Sequence, residues 1–225
     1  MRPRLFLGSL IAAFLAGSCG LPSPYYLSPP AAPSSPASPT TPLFSVISTT
    51  DNSETEFKGF ELYYKCYLNE GDVESNFGSS SFESNLRSAG FLPACSEDDT
   101  SPSGHLVPMI LIDPADRGKN FTITVDFNPS GLGIYNPTYK YTRPDIGTFV
   151  SIGVRRYVPD TAVTCKSFDF AQFLTMDADY TRIGSSVPAN GPFYIAIYAL
   201  SYGVQDKATP IWSWPVYLGY VGIHN

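Results

Sequence analysis

The chain has 225 residues, of which 43% are hydrophobic and 15% charged, and its net charge is −6 at pH 7. This apolar content excludes global disorder and is enough for one large domain or two small ones. Because nucleic-acid binding needs a basic face and none is visible, the acidic balance argues against that function class.

Residues 1–18 have the features of an export signal. Arg2 and Arg4 precede an apolar run over residues 5–16, which is too short to span a hydrocarbon core of ~30 Å comfortably. This pattern predicts a cleaved signal peptide rather than an anchor helix. Cleavage removes two positive charges, so the net charge of −6 becomes −8. Such an acidic mature chain is poorly suited to anionic lipid headgroups.

The export segment ends in Leu15-Ala16-Gly17-Ser18-Cys19, which resembles a bacterial lipobox of the relaxed, spirochaete type. That resemblance implies that the thiol of Cys19 is lipidated and that cleavage leaves it as an acylated N-terminus. Several acyl chains together give stable membrane anchoring. The apolar residue usual three positions before the Cys is Ala16 here. The alternative is a plain secretory signal with a cysteine near its cleavage point.

Residues 19–50 are predicted to form a spacer after the lipidated Cys19. Residues 20–50 carry no charge, and eight prolines fall between Pro22 and Pro42. Prolines among Ser, Ala and Thr favour extended polyproline II, so about two dozen residues could reach on the order of 70 Å. The alternative is a proline-rich ligand for a recognition domain.

Residues 51–225 are predicted to form a single antiparallel β-sandwich domain with one short helix. The helix is expected between Ser80, three residues before Glu83 as in a capping box, and Gly90. Residues 168–176 are ambiguous between strand and helix. Apolar and polar residues alternate, or apolar runs occur, in the expected strands 60–68, 107–112, 121–127, 149–154, 193–200 and 216–223.

Two segments resemble a fibronectin type III-like domain. The run from Phe57 to Lys65 looks like its third strand, and the run 193–203, followed by Trp214-Pro215-Val216, looks like its paired late strands. With the lipobox, these segments also resemble spirochaete lipoproteins of unassigned function. About 125 residues separate the two runs, so either the loops are enlarged or the sandwich is larger than a fibronectin module.

Cysteine, histidine and carboxylate patterns predict no cofactor and no metal site. Cys95 and Cys165 are the preferred disulfide pair, which leaves Cys66 as a buried small hydrophobe. Neither His105 nor His224 has zinc-ligand spacing. The acidic runs 97–99 and 177–179 could offer oxygen ligands to Ca²⁺, but both lack the spacing of a calcium loop.

The enzyme alternative is a serine hydrolase centred on Ser201. Ala199-Leu200-Ser201-Tyr202-Gly203 resembles the alanine variant of the nucleophile elbow, with Asp206 and His224 later in the chain. The elbow requires a helix after the serine, whereas residues 204–210 are typical of a turn. A hairpin strand is therefore the preferred interpretation, and no catalytic residue is assigned.

Aromatic residues are the candidate ligand-binding groups, because Tyr and Trp combine large contact area with a polar group. The alternative is packing between sheet and loops. The expected function is a lipid-anchored, non-catalytic module of a bacterial cell envelope that binds an unknown protein or glycan, with a carbohydrate-binding module as the first alternative. The candidate residues are Tyr63, Tyr67, Tyr135, Tyr139, Tyr141, Trp212 and Trp214.

Overall fold

The computed structural model describes residues 26–75, 82–96, 109–142, 149–158, 165–173, 177–179 and 192–225. This described part contains eleven strands, one short α-helix (α1, Glu83–Ser88) and single 3₁₀ turns, one of them at Phe170–Gln172 in the ambiguous segment. The mainly β, antiparallel fold class is confirmed. The strands are β1 Leu43–Ser48, β2 Phe57–Tyr67, β3 Leu92–Ser96, β4 Ile110–Leu111, β5 Phe121–Asp126, β6 Thr138–Thr142, β7 Phe149–Tyr157, β8 Cys165–Lys166, β9 Phe193–Gln205, β10 Thr209–Trp212 and β11 Val216–Ile223.

The strands form two layers that are joined through β3. Strands β1, β5, β6 and β7 pair in that order as the first layer, and β2, β9, β10 and β11 make the second. Strand β3 pairs with β7 at one end and with β2 at the other, so it passes from one layer to the next. All named strand pairs are antiparallel, and the longest joins β2 to β9 in the second layer.

The main core lies between the layers and follows from the alternation in the sequence. Successive side chains of a strand point to opposite faces, so every second residue of β1, β5, β2 and β9 points inward. These inward residues are fully buried and form one cluster with side chains of β11. Its members include Phe44, Val46, Ile123, Val125, Phe60, Leu62, Ile195, Ile197, Leu218 and Val221.

A second apolar cluster covers the outer face of β2 and β9. Tyr63, Tyr198 and Leu200 from the strands pack with Leu86 of α1 and with Phe91. The helix begins after Phe82, whose side chain makes no capping hydrogen bond, and Ser80 lies outside the described residues. Gly90, with a φ of 94°, follows the helix as predicted, since this left-handed conformation favours glycine. The central strands are therefore buried on both faces.

Residues 26–42, which we call the strap, pack along the edges of both layers. Ala31 donates a backbone hydrogen bond to Ile47 of β1 at 2.9 Å, and Ala37 donates one to Leu218 of β11 at 2.8 Å. Leu27 and Ala37 are buried. The prediction that residues 19–50 form a spacer is therefore wrong for residues 26–50. Extended proline-rich chain can lie against a sheet edge and protect it, because its few N–H groups find partners there.

Gly219 makes the contact between the strap and β11 possible. Its φ is 123°, and β11 has an irregular register between Tyr217 and Gly219. A Cβ atom at this position would lie 2.3 Å from the backbone N and O of Ala37. Only glycine accepts both the conformation and the approach of the second backbone.

Candidate functional site

The predicted exposed tyrosines of β2 are buried. Tyr63 is 0% exposed and Tyr67 is 7% exposed, because Leu86 of α1, Phe91 and Val73 pack over this part of the outer face. The hydroxyl of Tyr67 donates to Glu74 at 3.2 Å. The prediction that these two residues form a solvent-facing platform is therefore wrong. Alternation placed them correctly on the outer face, but it carried no information about the layer that covers that face.

The tyrosines of the β5–β6 region are mostly core residues. Tyr135 is 3% exposed and Tyr139 is 2% exposed, and both belong to the main cluster. The hydroxyl of Tyr135 accepts a hydrogen bond from the backbone N of His224 at 3.1 Å, so it links the loop to the C-terminus. Tyr141 lies on β6, and its side chain is outside what the structure describes. Tyr135 and Tyr139 are thus not ligand-binding candidates.

The two tryptophans are both half-buried and contact different parts of the molecule. The indole N–H of Trp212 donates to Oε2 of Glu61 at 2.8 Å, on the outer face of the sheet. The ring of Trp214 packs edge-on against Tyr26 of the strap, with ring centroids 5.3 Å apart. Among the predicted ligand residues whose side chains the structure describes, Trp212 is the one that lies on the surface described next.

A row of aromatic side chains follows the outer face of β9, and we call it the outer aromatic row. Each of three tyrosines on β9, four residues apart, packs against one aromatic residue of β10 or β11. The centroid distances are 6.2, 5.2 and 5.7 Å for Tyr194–Tyr220, Tyr198–Tyr217 and Tyr202–Trp212. Such cross-strand aromatic pairs stabilise a sheet. At about 3.3 Å per residue, the row extends over roughly 26 Å.

Part of this row faces solvent. Tyr198 and Tyr202 are buried, whereas Tyr194, Tyr217 and Trp212 are half-buried. Tyr220 is also half-buried, and its hydroxyl donates to Oε1 of Glu70 at 2.6 Å. Burial raises the pKa of Tyr217 to about 12, and the hydrogen bond to Glu70 raises that of Tyr220. Both hydroxyls therefore stay protonated at neutral pH. The hydroxyl of Tyr217 can donate a hydrogen bond to a ligand, whereas that of Tyr220 donates its one proton to Glu70.

The sequence contains a signal for this row, in the spacing of the β9 tyrosines. Tyr194, Tyr198 and Tyr202 all occupy even positions of one strand, and period-two alternation places them on one face. Their partners on β10 and β11 depend on the register of the hairpins and on the irregularity before Gly219. The pairing therefore needed the tertiary structure.

A buried carboxyl group adjoins the row at Trp212. Glu61 is 3% exposed, and desolvation raises its pKa to about 7. Hydrogen bonds from Trp212 and Tyr63 lower the pKa, but by less than desolvation raises it. The hydroxyl of Tyr63 also lies 2.7 Å from Oε1 of Glu83, which pairs with Arg87. The same hydroxyl lies 3.1 Å from Oε2 of Glu61. Because it has one proton, it donates to one of the two carboxyl groups at a time.

Ser201 does not have the environment of a nucleophile. It is fully buried inside β9, and its hydroxyl donates to the carbonyl oxygen of Ser28 at 2.7 Å. Asn52 donates to the same hydroxyl at 3.2 Å. The strand continues to Gln205 and turns at Asp206 and Lys207, whose φ values of 50° and 65° are those of a hairpin turn. The predicted hairpin replaces the helix that an elbow requires.

The candidate calcium ligands of the second acidic run are used by cations of the chain. Arg156 is fully buried and donates to Asp179 at 2.6 Å and to Asp177 at 3.3 Å. Lys166 also donates to Asp177, at 2.5 Å, and the guanidinium lies 3.7 Å from the ring centroid of Phe173. Pairing buried charges in this way offsets their desolvation, so the cluster is a structural one.

The structure contains a disulfide between Cys95 and Cys165, the pair that the sequence favoured, with Cα atoms 6.1 Å apart. It joins β3 to β8 beside the Arg156 cluster. Cys66 is a buried free cysteine, and desolvation raises the pKa of its thiol. Cys19, His105 and residues 97–99 lie outside the described residues.

Within the residues that the structure describes, no three His, Cys, Asp or Glu side chains are grouped so that they could hold a metal ion. None of the helices in this described part is long and apolar enough to cross a bilayer.

The chain was compared with known proteins by sequence and by fold. No family model, curated protein or solved structure matches the chain. The structure itself shows an antiparallel, sandwich-like β fold with a row of half-exposed aromatic residues.

Proposed function

We propose that this protein is exported, anchored to a bacterial envelope membrane by a lipid on Cys19, and acts there as a non-catalytic binding or structural module. The sequence from Arg2 to Cys19 is the basis for the anchor. The disulfide between Cys95 and Cys165 supports export independently, because such bonds persist in oxidising compartments and are rare in the cytosol.

Metabolic labelling with a fatty acid tests the anchor. We expect label in the native chain and in Cys66→Ala, which removes the buried free thiol, and no label in Cys19→Ala. Equal label in Cys19→Ala and the native chain, or none in either, would contradict lipidation at residue 19. Protease accessibility on intact cells then decides between surface and periplasmic exposure.

We propose the outer aromatic row as the binding surface. The observation that carries this assignment is that Tyr194, Trp212, Tyr217 and Tyr220 stay half-exposed in one row. In contrast, Tyr63, Tyr198 and Leu200 on the same face are buried. Rigid aromatic side chains give large contact area at low entropic cost, and they are enriched among residues that dominate binding energies.

The row also supports the carbohydrate-binding alternative. Aromatic rings offer apolar faces to a sugar, and carboxylate oxygens such as those of Glu70 accept hydrogen bonds from hydroxyl groups. An extended site of roughly 26 Å suits a chain of several sugar units better than a single one. A protein partner would use the same side chains with a broader contact area.

Binding to envelope polysaccharides and to peptidoglycan fragments tests the alternative. We expect Tyr217→Ala and Tyr220→Ala to weaken binding about tenfold each, because one lost aromatic contact is worth on the order of 1 kcal/mol or more. Leu132→Ala is the matched control, since Leu132 is 92% exposed but lies outside the row. If the native chain binds no glycan, the carbohydrate-binding alternative is wrong and a protein partner remains. That partner can be identified by crosslinking from residue 217.

The geometry around Ser201 gives no support to a hydrolase. A serine-reactive probe needs access to the hydroxyl, which is buried and hydrogen-bonded to Ser28. We expect the folded protein to remain unlabelled by such a probe. Labelling that disappears in Ser201→Ala would reinstate the hydrolase alternative.

A further inference from the structure

The N-terminal end of the strap is fixed to one end of the domain. Leu27 is buried, and Asn52 holds Ser28 by accepting from its backbone N at 2.9 Å and donating to its carbonyl at 2.8 Å. A Cβ atom built on Gly203 would lie 3.0 Å from Leu27, which places this anchor near the C-terminal end of β9. The chain therefore leaves the folded domain at a defined place.

This anchor shortens the connection between Cys19 and the domain. Only residues 20–25 lie between Cys19 and Tyr26, the first described residue. Seven residue steps span at most about 25 Å even when fully extended. The composition of residues 19–50 had predicted a reach of about 70 Å, so packing of the strap removes most of that distance.

The same end of the domain carries an aromatic pair, one member of which is exposed. Tyr26 is 55% exposed, and its ring packs edge-on against the half-buried Trp214. Tyr and Trp favour the interface between bilayer and water, where an apolar ring and a polar group are both accommodated. The connecting sequence Gly20-Leu-Pro-Ser-Pro-Tyr25 has no charge and contains two large apolar residues.

Given the lipid on Cys19, on which this inference rests, we propose that the Tyr26–Trp214 end of the domain lies against the headgroup region of the bilayer. A short connection makes even a weak contact effectively intramolecular, so the Tyr26–Trp214 pair can orient the domain. The domain then stands on the membrane in one orientation and is not held away from it.

The exposed charges at this end are of both signs, with an acidic excess. Asp51 and Glu54 are exposed beside the Asn52 anchor, and Asp206 and Lys207 are both exposed in the hairpin turn that follows Gly203. Because these carboxylates outnumber the cation, a zwitterionic headgroup surface fits this end better than an anionic one.

The opposite end of the domain points away from the membrane in this orientation. The end of β11 lies opposite Phe193, at the start of β9, and so marks this end of the domain. Gly133 lies beside Asn225, which follows β11. Ten residues of β9 separate this end from Gly203, or about 33 Å. Leu132, at the tip of this end, is 92% exposed.

Contact quenching measures the orientation. Acylated protein purified from membranes is reconstituted in phosphatidylcholine vesicles that contain lipids with a nitroxide on the headgroup. A fluorophore is attached at Ala208→Cys, near the proposed contact, or at Leu132→Cys at the far end; both positions are exposed. We expect quenching at residue 208 to be several-fold stronger than at residue 132.

Two variants separate this inference from the anchor. Tyr26→Ser combined with Trp214→Ala should reduce quenching at residue 208 several-fold, while the protein still co-sediments with vesicles. Addition of anionic lipid should also reduce quenching at residue 208. Equal, weak quenching at both positions in membrane-bound protein would overturn the orientation and leave the anchor intact. Protein that does not associate with vesicles at all would overturn the anchor, and the orientation with it.

Discussion

The hydroxyl of Ser201 donates a hydrogen bond to the carbonyl oxygen of Ser28 at 2.7 Å, across a sequence separation of 173 residues. This contact, with the two hydrogen bonds between Asn52 and Ser28, ties the strap to the central strand β9. A residue that a motif suggested as a nucleophile therefore holds the N-terminal segment of the domain in place.

We expect Ser201→Ala to lower the free energy of unfolding by about 1–2 kcal/mol, because a buried hydrogen bond is lost and Asn52 keeps only its contacts with Ser28. Urea denaturation measures this change. Limited proteolysis should also cut within the strap faster than in the native chain, since its anchor is weakened.

Ser45→Ala is the matched control for Ser201→Ala, because Ser45 is a half-buried serine on β1. We expect it to change stability by about 0.5 kcal/mol or less. Equal stabilities of Ser201→Ala and the native protein would contradict the anchoring role.

Gly219→Ala should separate the strap from β11. The added Cβ would lie 2.3 Å from backbone atoms of Ala37, and the φ of 123° is unfavourable for any side chain. We expect a loss of at least about 2 kcal/mol, measured by urea denaturation, because neither backbone can move without breaking hydrogen bonds.

Gly222→Ala on the same strand is the comparison for Gly219→Ala. Its nearest new contact would be the flexible imidazole of His224 at 3.1 Å, so we expect a change of about 1 kcal/mol or less. Similar effects of the two substitutions would show that the approach of Ala37 is not the reason for the glycine.

Glu61 should make stability depend on pH. Burial raises its pKa from about 4.5 to about 7. Between these values the folded protein retains a proton that the unfolded chain releases. The free energy of unfolding therefore falls as the pH rises from 4.5 to 7, by about 3 kcal/mol in total.

Glu61→Gln removes the titration while its amide oxygen can still accept the hydrogen bond from Trp212. We expect the free energy of unfolding of Glu61→Gln to be similar at pH 5 and pH 8, whereas that of the native protein is lower at pH 8. The variant should therefore be more stable than the native protein at pH 8. If the stability of the variant differs between pH 5 and pH 8 as much as that of the native protein, groups other than Glu61 cause the pH dependence.

Thiol titration checks the cysteine assignments in the Cys19→Ala chain. We expect no reactive thiol in the native state, because Cys66 is buried and its pKa is raised, and one thiol after denaturation without reductant. Replacing Cys95 and Cys165 by serine should lower stability by about 2–4 kcal/mol. Three thiols after denaturation would show that the disulfide does not form in solution.

Local pattern was sufficient for α1 and for six of the eleven described strands. The alternation in β2 and β5 depends only on neighbouring residues, so it identified both strands and the inward positions Phe60, Leu62 and Ile123. It failed for Tyr63 and Tyr67, because a strand pattern does not reveal that α1 covers the outer face.

The sequence by itself determined the mainly β fold and six of the strands, since each depends on composition or on residues close together in the chain; it missed β1, which lies in the segment predicted to be a spacer. Only the tertiary structure decided that residues 26–42 form a strap, that Ser201 is its anchor, and that the outer aromatic row stays partly open. These properties depend on contacts between residues far apart in sequence, such as Ala37 with Gly219, and composition alone is the same for a free proline-rich chain and for one packed on a sheet edge.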